Sequence, residues 1–283
     1  MPDPTIKTIS IIGCGWLGFP LATHLLESGY PHIKGSTTSS EKLPVLRQAG
    51  IDAHIASLTP EPQGQNWPDL LAADTLIVDI PPRQSKQGED FHPQQMRNLA
   101  SLIENSPLSE IIYVSSTSVY PELNKTMSED DVLDPQQSAS PHLVEAEQII
   151  TGLRKAGKTV TILRCGGLMG YDRIPGKYVR GRRDITTGDV PVNYIHRDDV
   201  VAIISALLTQ EIGNETFNVV APEHPPRRAV YEKSCLENHW EVPTFTQPES
   251  PESFKVVSSE KITRRLSYTF AYPNPLDFHY YKG

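Results

Sequence analysis

The sequence predicts an α/β fold in which a doubly wound parallel sheet is followed by a smaller C-terminal lobe. Short apolar runs rich in β-branched residues alternate with segments whose apolar residues recur at helical spacing. Strands separated by helices of about 10–15 residues are typical of a parallel sheet covered on both faces. A glycine-rich segment, GCGWLG, directly follows the first apolar run, as in folds that bind a ligand at the first strand-to-helix turn.

The first strand, residues 5–12, ends in glycines, and a helix over residues 17–28 follows it directly. Further strands are predicted at residues 32–36, 51–56, 74–80, 110–115, 159–164, 192–196 and 216–220. Further helices are predicted at residues 41–48, 89–104, 141–156 and 198–209. The chain contains 25 prolines, which mark the intervening loops because proline lacks an amide donor and restricts its predecessor.

The regular alternation is lost after residue 165 and recovers briefly between residues 192 and 220. We therefore expect residues 1–165 plus 192–220 to form the domain that carries the sheet. Residues 166–191 plus 221–283 are expected to form the smaller lobe.

The composition argues against several classes of protein. With 26 Lys+Arg against 34 Asp+Glu, the net charge of −8 disfavours nucleic acid or an anionic membrane as a partner. No apolar run approaches the roughly 20 residues of a membrane span, and no basic region precedes an apolar stretch at the N-terminus. Cys14, Cys165 and Cys235 are too few and too scattered for a disulfide framework or a zinc site. We expect a cytoplasmic protein that uses no metal, a monomer or homodimer, whose partner is a small-molecule substrate.

The GCGWLG segment places Gly13, Gly15 and Gly18 in the G-x-G-x-x-G spacing of dinucleotide-binding turns. The first glycine allows the tight turn, the second admits the pyrophosphate, and the third lets the helix pack on the strand. We expect the cofactor to contact these glycines together with Trp16 and Leu17. The alternative is a glycine-rich turn without a ligand.

The type of cofactor depends on the end of the second strand, where an acidic residue would bind the ribose hydroxyls of NAD. Here the sequence is IKGSTTSS, without Asp or Glu before Glu41. Hydroxyls of Ser36, Thr37 and Thr38, with Lys34, could instead accept a 2′-phosphate. NADP is therefore favoured, with NAD possible; the alternative is that these are ordinary loop hydroxyls and a solvated lysine.

Three later segments carry a family resemblance: IIYVSSTSVYP, LRCGGLMG and VNYIHRDDV. Together with GCGWLGFPLA and FNVVAPEHPPRR they resemble the extended short-chain dehydrogenases/reductases. The combination is most similar to the atypical, YeeZ-like branch of that superfamily, which is NAD-dependent epimerase/dehydratase-like. The resemblance implies that residues 1–165 plus 192–220 form an NAD(P)-binding Rossmann domain and that the smaller lobe binds substrate.

The resemblance also implies roles for individual residues. Ser116 falls at the catalytic serine, whose hydroxyl hydrogen-bonds a substrate oxygen. Cofactor contacts are implied for Pro81, Ser115, Cys165 and Gly166. Substrate contacts are implied for Ser118, Tyr120, Tyr171 and Arg173.

One departure concerns the tyrosine and lysine that accompany the catalytic serine in this superfamily. Alignment on the E-Q-I-I end of the following helix puts Ala139 at the tyrosine position and Leu143 at the lysine position. The segment SASPHLVEAEQII contains neither tyrosine nor lysine. With this spacing the two residues are expected to share a helix face toward the nicotinamide ribose. Val192 occupies the position of an arginine that reaches the substrate diphosphate, which makes a nucleotide sugar a less expected substrate.

Other residues offer a substitute acid, each with an ordinary structural alternative. His142 has a suitable intrinsic pKa but would more commonly be a solvent-facing histidine at a helix start. Tyr120 could shape the pocket, and Tyr171 could equally cap or cover the surface. His196 is expected to anchor a strand end, with Asp198 or Asp199 capping the next helix. Cys14 and Cys165 are expected to pack beside the cofactor, with a redox pair as the alternative.

The leading functional hypothesis is an NAD(P)-binding oxidoreductase or epimerase/dehydratase-like enzyme that uses Ser116 without the usual Tyr-Lys pair. The alternative is a catalytically inactive dinucleotide-binding sensor or regulatory protein. A hydroxyacid-dehydrogenase type of enzyme would need an all-helical C-terminal domain, which the proline-rich C-terminal third contradicts.

Overall fold

The computed structural model describes residues 7–82 and 88–280 of the chain. Its strands are β1 (Thr8–Ile12), β2 (His32–Thr37), β3 (Asp52–Ile55), β4 (Ser57–Leu58), β5 (Pro62–Gln63), β6 (Thr75–Val78), β7 (Glu110–Ser116), β8 (Lys125–Met127), β9 (Thr159–Cys165), β10 (Gly167–Met169), β11 (Tyr194–His196), β12 (Thr216–Val219) and β13 (Lys255–Val257). Its α-helices are α1 (Gly18–Glu27), α2 (Leu43–Gln48), α3 (Trp67–Leu71), α4 (Phe91–Glu104), α5 (Pro141–Thr151), α6 (Arg197–Gln210), α7 (Arg227–Glu237) and α8 (Glu260–Leu266).

The main sheet has seven strands in the order β12-β9-β7-β6-β1-β2-β3. The strand β1 pairs in parallel with β2 on one side and with β6 on the other, and β6 pairs in parallel with β7. The chain thus winds outward from β1 in both directions, which is the doubly wound arrangement. The predicted α/β fold with a parallel sheet is confirmed.

The centre of the sheet is apolar on both faces. All four residues of β6 are buried, as are Ile9, Ile11 and Ile12 of β1. One face packs against α4 and α5, whose inward side chains include Met96, Leu99 and Ile150. Burial on both faces explains why these strands appear in the sequence as continuous apolar runs.

Some elements differ from the predictions. The first two residues of the predicted strand 5–12 lie outside the described residues. Part of the proline-rich stretch predicted as a loop forms the small antiparallel pair β4–β5 and the short helix α3. The indole of Trp67 donates to the carbonyl of Gln63 at 3.1 Å, and the side chain is buried. Burial of this one large aromatic side chain therefore orders a segment whose prolines indicate a loop.

The chain divides into two compact units. The first comprises residues 1–115, 133–163 and 203–216, and the second comprises residues 116–132, 164–202 and 217–283. Residues 116–132, 164–165, 192–202 and 217–220, expected in the sheet domain, belong to the second unit. Two parallel strand pairs within that unit account for the difference, since β8 pairs with β13 and β10 with β11. No helix in the described part of the chain is long and apolar enough to cross a membrane.

Candidate functional site

The glycine loop between β1 and α1 has the geometry of a phosphate-binding turn. Gly13 has a φ of +109°, and a Cβ there would lie 2.2 Å from the carbonyl oxygen of Asp79. A Cβ on Gly18 would lie 2.2 Å from the carbonyl oxygen of Gly13. Over Gly15, in contrast, the nearest atom to an added Cβ is 4.0 Å away, and this glycine is exposed. Two glycines therefore permit close packing and the middle one leaves open the space that a pyrophosphate would use.

Ser36 holds the glycine loop against the end of β2. Its hydroxyl accepts a hydrogen bond from the Gly13 amide at 3.1 Å, and its carbonyl accepts one from the Cys14 amide at 2.7 Å. The Thr37 hydroxyl accepts a hydrogen bond from the Ser39 amide at 3.2 Å, and this threonine is buried. The side chain of Thr38 is exposed. Ser36 thus supports the cofactor loop, and a direct contact of its side chain with the cofactor stays a prediction.

Lys34 already has partners within the first unit. Its ammonium donates to the carbonyls of Asp69 and Ala72, at 2.7 and 3.1 Å. Both carbonyls lie at the C-terminal end of α3, where unsatisfied carbonyl groups and the helix dipole favour a cation. A 2′-phosphate contact of this lysine stays a prediction.

Ser115 faces a different environment from the cofactor contact implied for it. Its hydroxyl donates to the carboxylate of Glu147 in α5 at 2.6 Å, and both residues are buried. A hydrogen bond to a buried carboxylate holds strand and helix together. This side chain is engaged between strand and helix, and the implied cofactor contact of Ser115 stays a prediction.

Ser116 is half-buried and begins a short 3₁₀ turn over Thr117–Val119. Its Oγ accepts two hydrogen bonds from Ser118, from the amide at 3.1 Å and from the hydroxyl at 3.0 Å. A serine hydroxyl has two acceptor positions and one proton to donate. Because both acceptor positions are used, the Ser116 proton remains for another oxygen.

A cavity of about 320 Å³ in the second unit opens onto Ser116. This volume lies at the small end of the range of ligand sites, which is about 300–1,000 Å³. The side chains around it are mostly hydroxyls, amides and charged groups. They belong to Ser116, Thr117, Ser118, Glu122, Val190, Pro191, Val192, Asn193, Tyr194, Arg227, Tyr231 and Lys255, with Gly167 between them.

Two consecutive glycines let β11 approach the end of β9 closely. A Cβ on Gly166 would lie 2.6 Å from the carbonyl oxygen of Asn193, and one on Gly167 would lie 2.6 Å from the Tyr194 ring. The Tyr194 hydroxyl donates to that of Tyr231 at 3.5 Å, and burial raises the pKa of Tyr194. Gly166 thus has a packing role, and its predicted cofactor contact is not needed to explain it.

Lys255 is placed by hydrogen bonds on both sides. The side-chain Nδ2 of Asn193 donates to the backbone carbonyl of Lys255 at 2.9 Å. The side-chain Oδ1 of Asn193 accepts a hydrogen bond from the backbone amide of Val257 at 2.7 Å. The ammonium itself donates to the carbonyl of Tyr120. Burial lowers the pKa of Lys255, the nearby Arg227 lowers it further, and Glu122 acts in the opposite direction.

Tyr120 has a structural position that contradicts the implied substrate contact. It is fully buried, donating to Asn218 at 2.7 Å and accepting from Arg164 at 2.9 Å. Arg164 also donates to the carbonyls of Glu129 and Val132, at 3.2 and 2.9 Å. Burial raises the pKa of Tyr120 to about 12. Its hydroxyl is already satisfied, so it is neither a substrate contact nor an acid here.

Tyr171 also has side-chain partners. Its hydroxyl donates to the carboxylate of Asp198 at 2.8 and 3.0 Å, and the Arg197 guanidinium lies 3.6 Å from the centre of its ring. The substrate contact implied for Tyr171 stays a prediction. Arg173 closes the same turn by backbone hydrogen bonds with Gly170, and its substrate role stays a prediction.

His196 is the last residue of β11 and precedes α6, and it caps this helix in place of the two aspartates expected to do so. The His196 Nδ1 accepts from the Asp198 amide at 3.3 Å, so the histidine takes the capping position. Asp199 is fully buried, and its carboxylate accepts from the Tyr268 hydroxyl and from the amides of Ala271 and Tyr272, at 2.7, 2.8 and 3.1 Å. The carboxylates of Asp198 and Asp199 thus bind residues of other segments instead of the amides of α6.

The expectation that Ala139 and Leu143 share a helix face is wrong. The helix α5 begins at Pro141, so Ala139 lies in the preceding loop and is exposed, whereas Leu143 is buried. Proline favours the first helical turn, which explains why the helix starts there. His142 is half-buried, and burial lowers its pKa; its role as an acid stays a prediction.

The remaining predicted residues are placed as follows. Leu17 is buried, so only its backbone can face a cofactor, while Trp16 is half-buried and Pro81 is exposed. Cys14 and Cys165 are buried free thiols, and burial together with Asp79 raises the pKa of Cys14 to about 12. A thiol that stays protonated at neutral pH supports the packing interpretation over a redox pair.

Sequence reasoning missed the basic side of the cavity. Lys255 lies in the proline-rich C-terminal third without any motif, and Arg227 is one of two arginines after a Pro-Pro pair. The available signal was the position of Arg227 at the start of a helical segment. Nothing local indicates that it lines the same cavity as Ser116, because 111 positions separate the two in the sequence.

Comparisons with known proteins identify the family of this chain. Residues 9–220 match the model of the NAD dependent epimerase/dehydratase family. Protein YeeZ of Escherichia coli strain K12 is 32% identical over 273 residues, covering 96% of this chain and 98% of that protein.

Two solved structures share the fold. One is a short-chain dehydrogenase/reductase superfamily protein of Agrobacterium tumefaciens with bound NAD (TM-score 0.72, 17% identity, 92% and 91% coverage). The other is the UDP-glucuronic acid 4-epimerase of Bacillus cereus in complex with UDP-glucuronic acid and NAD (TM-score 0.74, 17% identity, 96% of both chains). Because the family match and the similarity to YeeZ both span most of the chain, this protein belongs to the NAD dependent epimerase/dehydratase family.

Proposed function

We propose that the protein is an NAD(P)-dependent enzyme that interconverts a hydroxyl and a carbonyl group on a small molecule. The observation that carries the proposal is the hydrogen bonding of Ser116, whose proton is left to be donated while its side chain lines a cavity. The open space over Gly15 supports a dinucleotide at the glycine loop. The NAD named with the Agrobacterium and Bacillus structures supports the same class of cofactor.

Groups of the chain itself can bind the cofactor, orient the substrate and protonate the substrate oxygen. The glycine loop offers amides to the pyrophosphate at the start of α1. A nicotinamide cofactor held at this loop would supply hydride chemistry. Ser116 donates its proton to the substrate carbonyl oxygen, Ser118 passes its proton to Ser116, and the exposed Ser118 regains a proton from water. This hydroxyl pair replaces the proton path for which the region 138–150 has neither tyrosine nor lysine.

The proposed preference for NADP is small. No carboxylate occurs between residues 32 and 40 to bind a free ribose or repel a 2′-phosphate, but Lys34 is engaged at α3. Neutral hydroxyls alone support a preference below about tenfold, or about 1.4 kcal/mol. Thr38→Asp should weaken NADPH more than NADH, by like-charge repulsion. Wild-type protein that binds NADH tenfold more tightly than NADPH would contradict the preference.

The test of the function combines binding with turnover. Titration of the purified protein with NADH and NADPH measures the site, and oxidation of either cofactor in the presence of small carbonyl compounds measures the reaction. We expect binding and turnover of at least one compound. Failure to bind either dinucleotide overturns the proposal, and binding without turnover favours the inactive sensor, for which the missing Tyr-Lys pair is the supporting observation.

A further inference from the structure

Two cations, Arg227 and Lys255, line the cavity that contains Ser116. Within the described part of the chain, neither lies within 4.0 Å of a carboxylate. The acidic residue of the cavity, Glu122, is exposed and attracts Lys255 without an ion pair. Half-buried charges without a counter-ion are costly, so they commonly mark a site for an ion of opposite charge.

The backbone of each cationic residue is anchored by hydrogen bonds, and the Lys255 ammonium also has an acceptor of its own. Lys255 lies on β13, between the Tyr120 carbonyl and the Asn193 amide. Arg227 begins α7, and its amide donates to the carbonyl of Val190 at 2.9 Å. Their mutual repulsion contributes to the lowered pKa of Lys255. An anion between them would relieve this repulsion.

The hydroxyl groups of the cavity fit the same ligand. Tyr194 and Tyr231 line it beside Arg227, and Ser116 and Ser118 line it as well. Guanidinium, ammonium and hydroxyl donors are the groups that bind carboxylate and phosphate oxygens. The volume of about 320 Å³ leaves room for a compact molecule around that anion.

We propose that Arg227 and Lys255 bind an oxyanion of the substrate, so that the substrate class is a small hydroxy or oxo compound carrying a carboxylate or a phosphate. The inference rests on the proposed function, because it places the anion and the reacting oxygen in the cavity that Ser116 lines. It adds the chemistry by which the substrate is recognised. Arg227 and Lys255 are then specificity-determining residues.

The test measures oxyanion affinity separately from cofactor affinity. Glycerate and glycerol 3-phosphate distinguish carboxylate from phosphate, glycerol is the neutral control, and titration calorimetry at low salt gives each Kd. Arg227→Gln and Lys255→Gln should each weaken the preferred oxyanion at least tenfold. Arg228→Gln is the matched control, since its guanidinium lies 4.6 Å from the centre of the Phe245 ring and it does not line the cavity.

Further measurements distinguish failure of the oxyanion inference from failure of the proposed function. All three variants should bind NADH and NADPH as wild type does, which shows that the glycine loop is intact. Arg227→Lys should recover part of the affinity because it restores the charge. Equal oxyanion affinity in wild type, Arg227→Gln and Lys255→Gln overturns the inference, as does the absence of oxyanion binding by the wild type. Loss of dinucleotide binding by the wild type would overturn the proposed function instead.

Discussion

Ser115 and Ser116 are adjacent in the chain but have different surroundings. Successive residues of a strand point to opposite faces, so one hydroxyl reaches Glu147 and the next reaches the cavity. The resemblance to extended dehydrogenases identifies the segment but does not separate the roles of the two serines. The hydrogen bonds of each side chain distinguish the two roles.

Replacing each serine with alanine should therefore have a different effect. Ser116→Ala should lower kcat/KM by about 10²-fold or more, because the substrate oxygen loses its proton donor. Ser115→Ala should retain the rate but lower the free energy of unfolding by about 1–3 kcal/mol, because a buried carboxylate loses a donor. Steady-state kinetics and urea denaturation measure the two quantities. Equal loss of rate in both variants would contradict the separation of roles.

The glycine loop gives a second pair of contrasting variants. Gly15→Asp should abolish dinucleotide binding and leave the melting temperature unchanged, since the space over Gly15 is open and the new charge repels a pyrophosphate. Gly18→Ala should lower the melting temperature, because its Cβ would lie 2.2 Å from the Gly13 carbonyl oxygen. Fluorescence titration with NADPH and thermal unfolding are the measurements. A Gly15→Asp variant with wild-type affinity would place the cofactor elsewhere.

The start of α6 shows how an element is placed by contacts far along the chain. His196 caps it, while the buried carboxylate of Asp199 accepts hydrogen bonds from three residues between 268 and 272. A buried carboxylate is tolerated only where several donors surround it. This residue therefore attaches the C-terminal segment to α6.

Asp199→Asn should lower the free energy of unfolding by about 2–3 kcal/mol, because an amide replaces a charged acceptor and brings unwanted donors. Asp198→Asn is the control, since its carboxylate is 40% exposed and binds chiefly the Tyr171 hydroxyl. Urea denaturation compares the two, and limited proteolysis should cut the C-terminal segment sooner in Asp199→Asn. Equal stability of both variants would contradict the attachment.

Across the whole molecule, buried phenols and thiols make folding sensitive to alkaline pH. Burial raises the pKa of Cys14 and of Tyr120 to about 12, from ordinary values of 9.0 and 10.0, and raises the pKa values of Tyr113 and Tyr194 as well. Above pH 9 the unfolded chain therefore releases protons that the folded chain keeps. Because the unfolded state then binds fewer protons, stability falls as pH rises.

The free energy of unfolding should decrease between pH 9 and pH 12, by at most about 1.4 kcal/mol per pH unit for each such group. Urea denaturation at a series of pH values measures the decrease. Tyr113→Phe should make it shallower, because it removes one of the titrating hydroxyls. Stability that stays constant across this range would contradict the burial of these groups as ionisable side chains.

The parallel sheet, its helices and the glycine loop are predictable from the amino-acid sequence alone. These follow from local information: apolar periodicity distinguishes strand from helix, and the spacing of Gly13, Gly15 and Gly18 specifies a turn. The role of Ser116 is implied by the resemblance of a contiguous segment, IIYVSSTSVYP, to the extended short-chain dehydrogenases/reductases. Such features need no knowledge of distant partners.

Which polar side chains already have hydrogen-bond partners depends instead on how distant segments meet in the fold. Tyr120, Tyr171, Ser115 and Lys34 carry suitable chemistry in the sequence, yet each is bound to a partner at least 27 positions away. Arg227 and Lys255 carry no recognisable motif, and the fold brings them to the cavity of Ser116. The physical reason is that hydrogen bonding and charge pairing depend on which segments meet in space, whereas periodicity and turn geometry depend on neighbours in the chain.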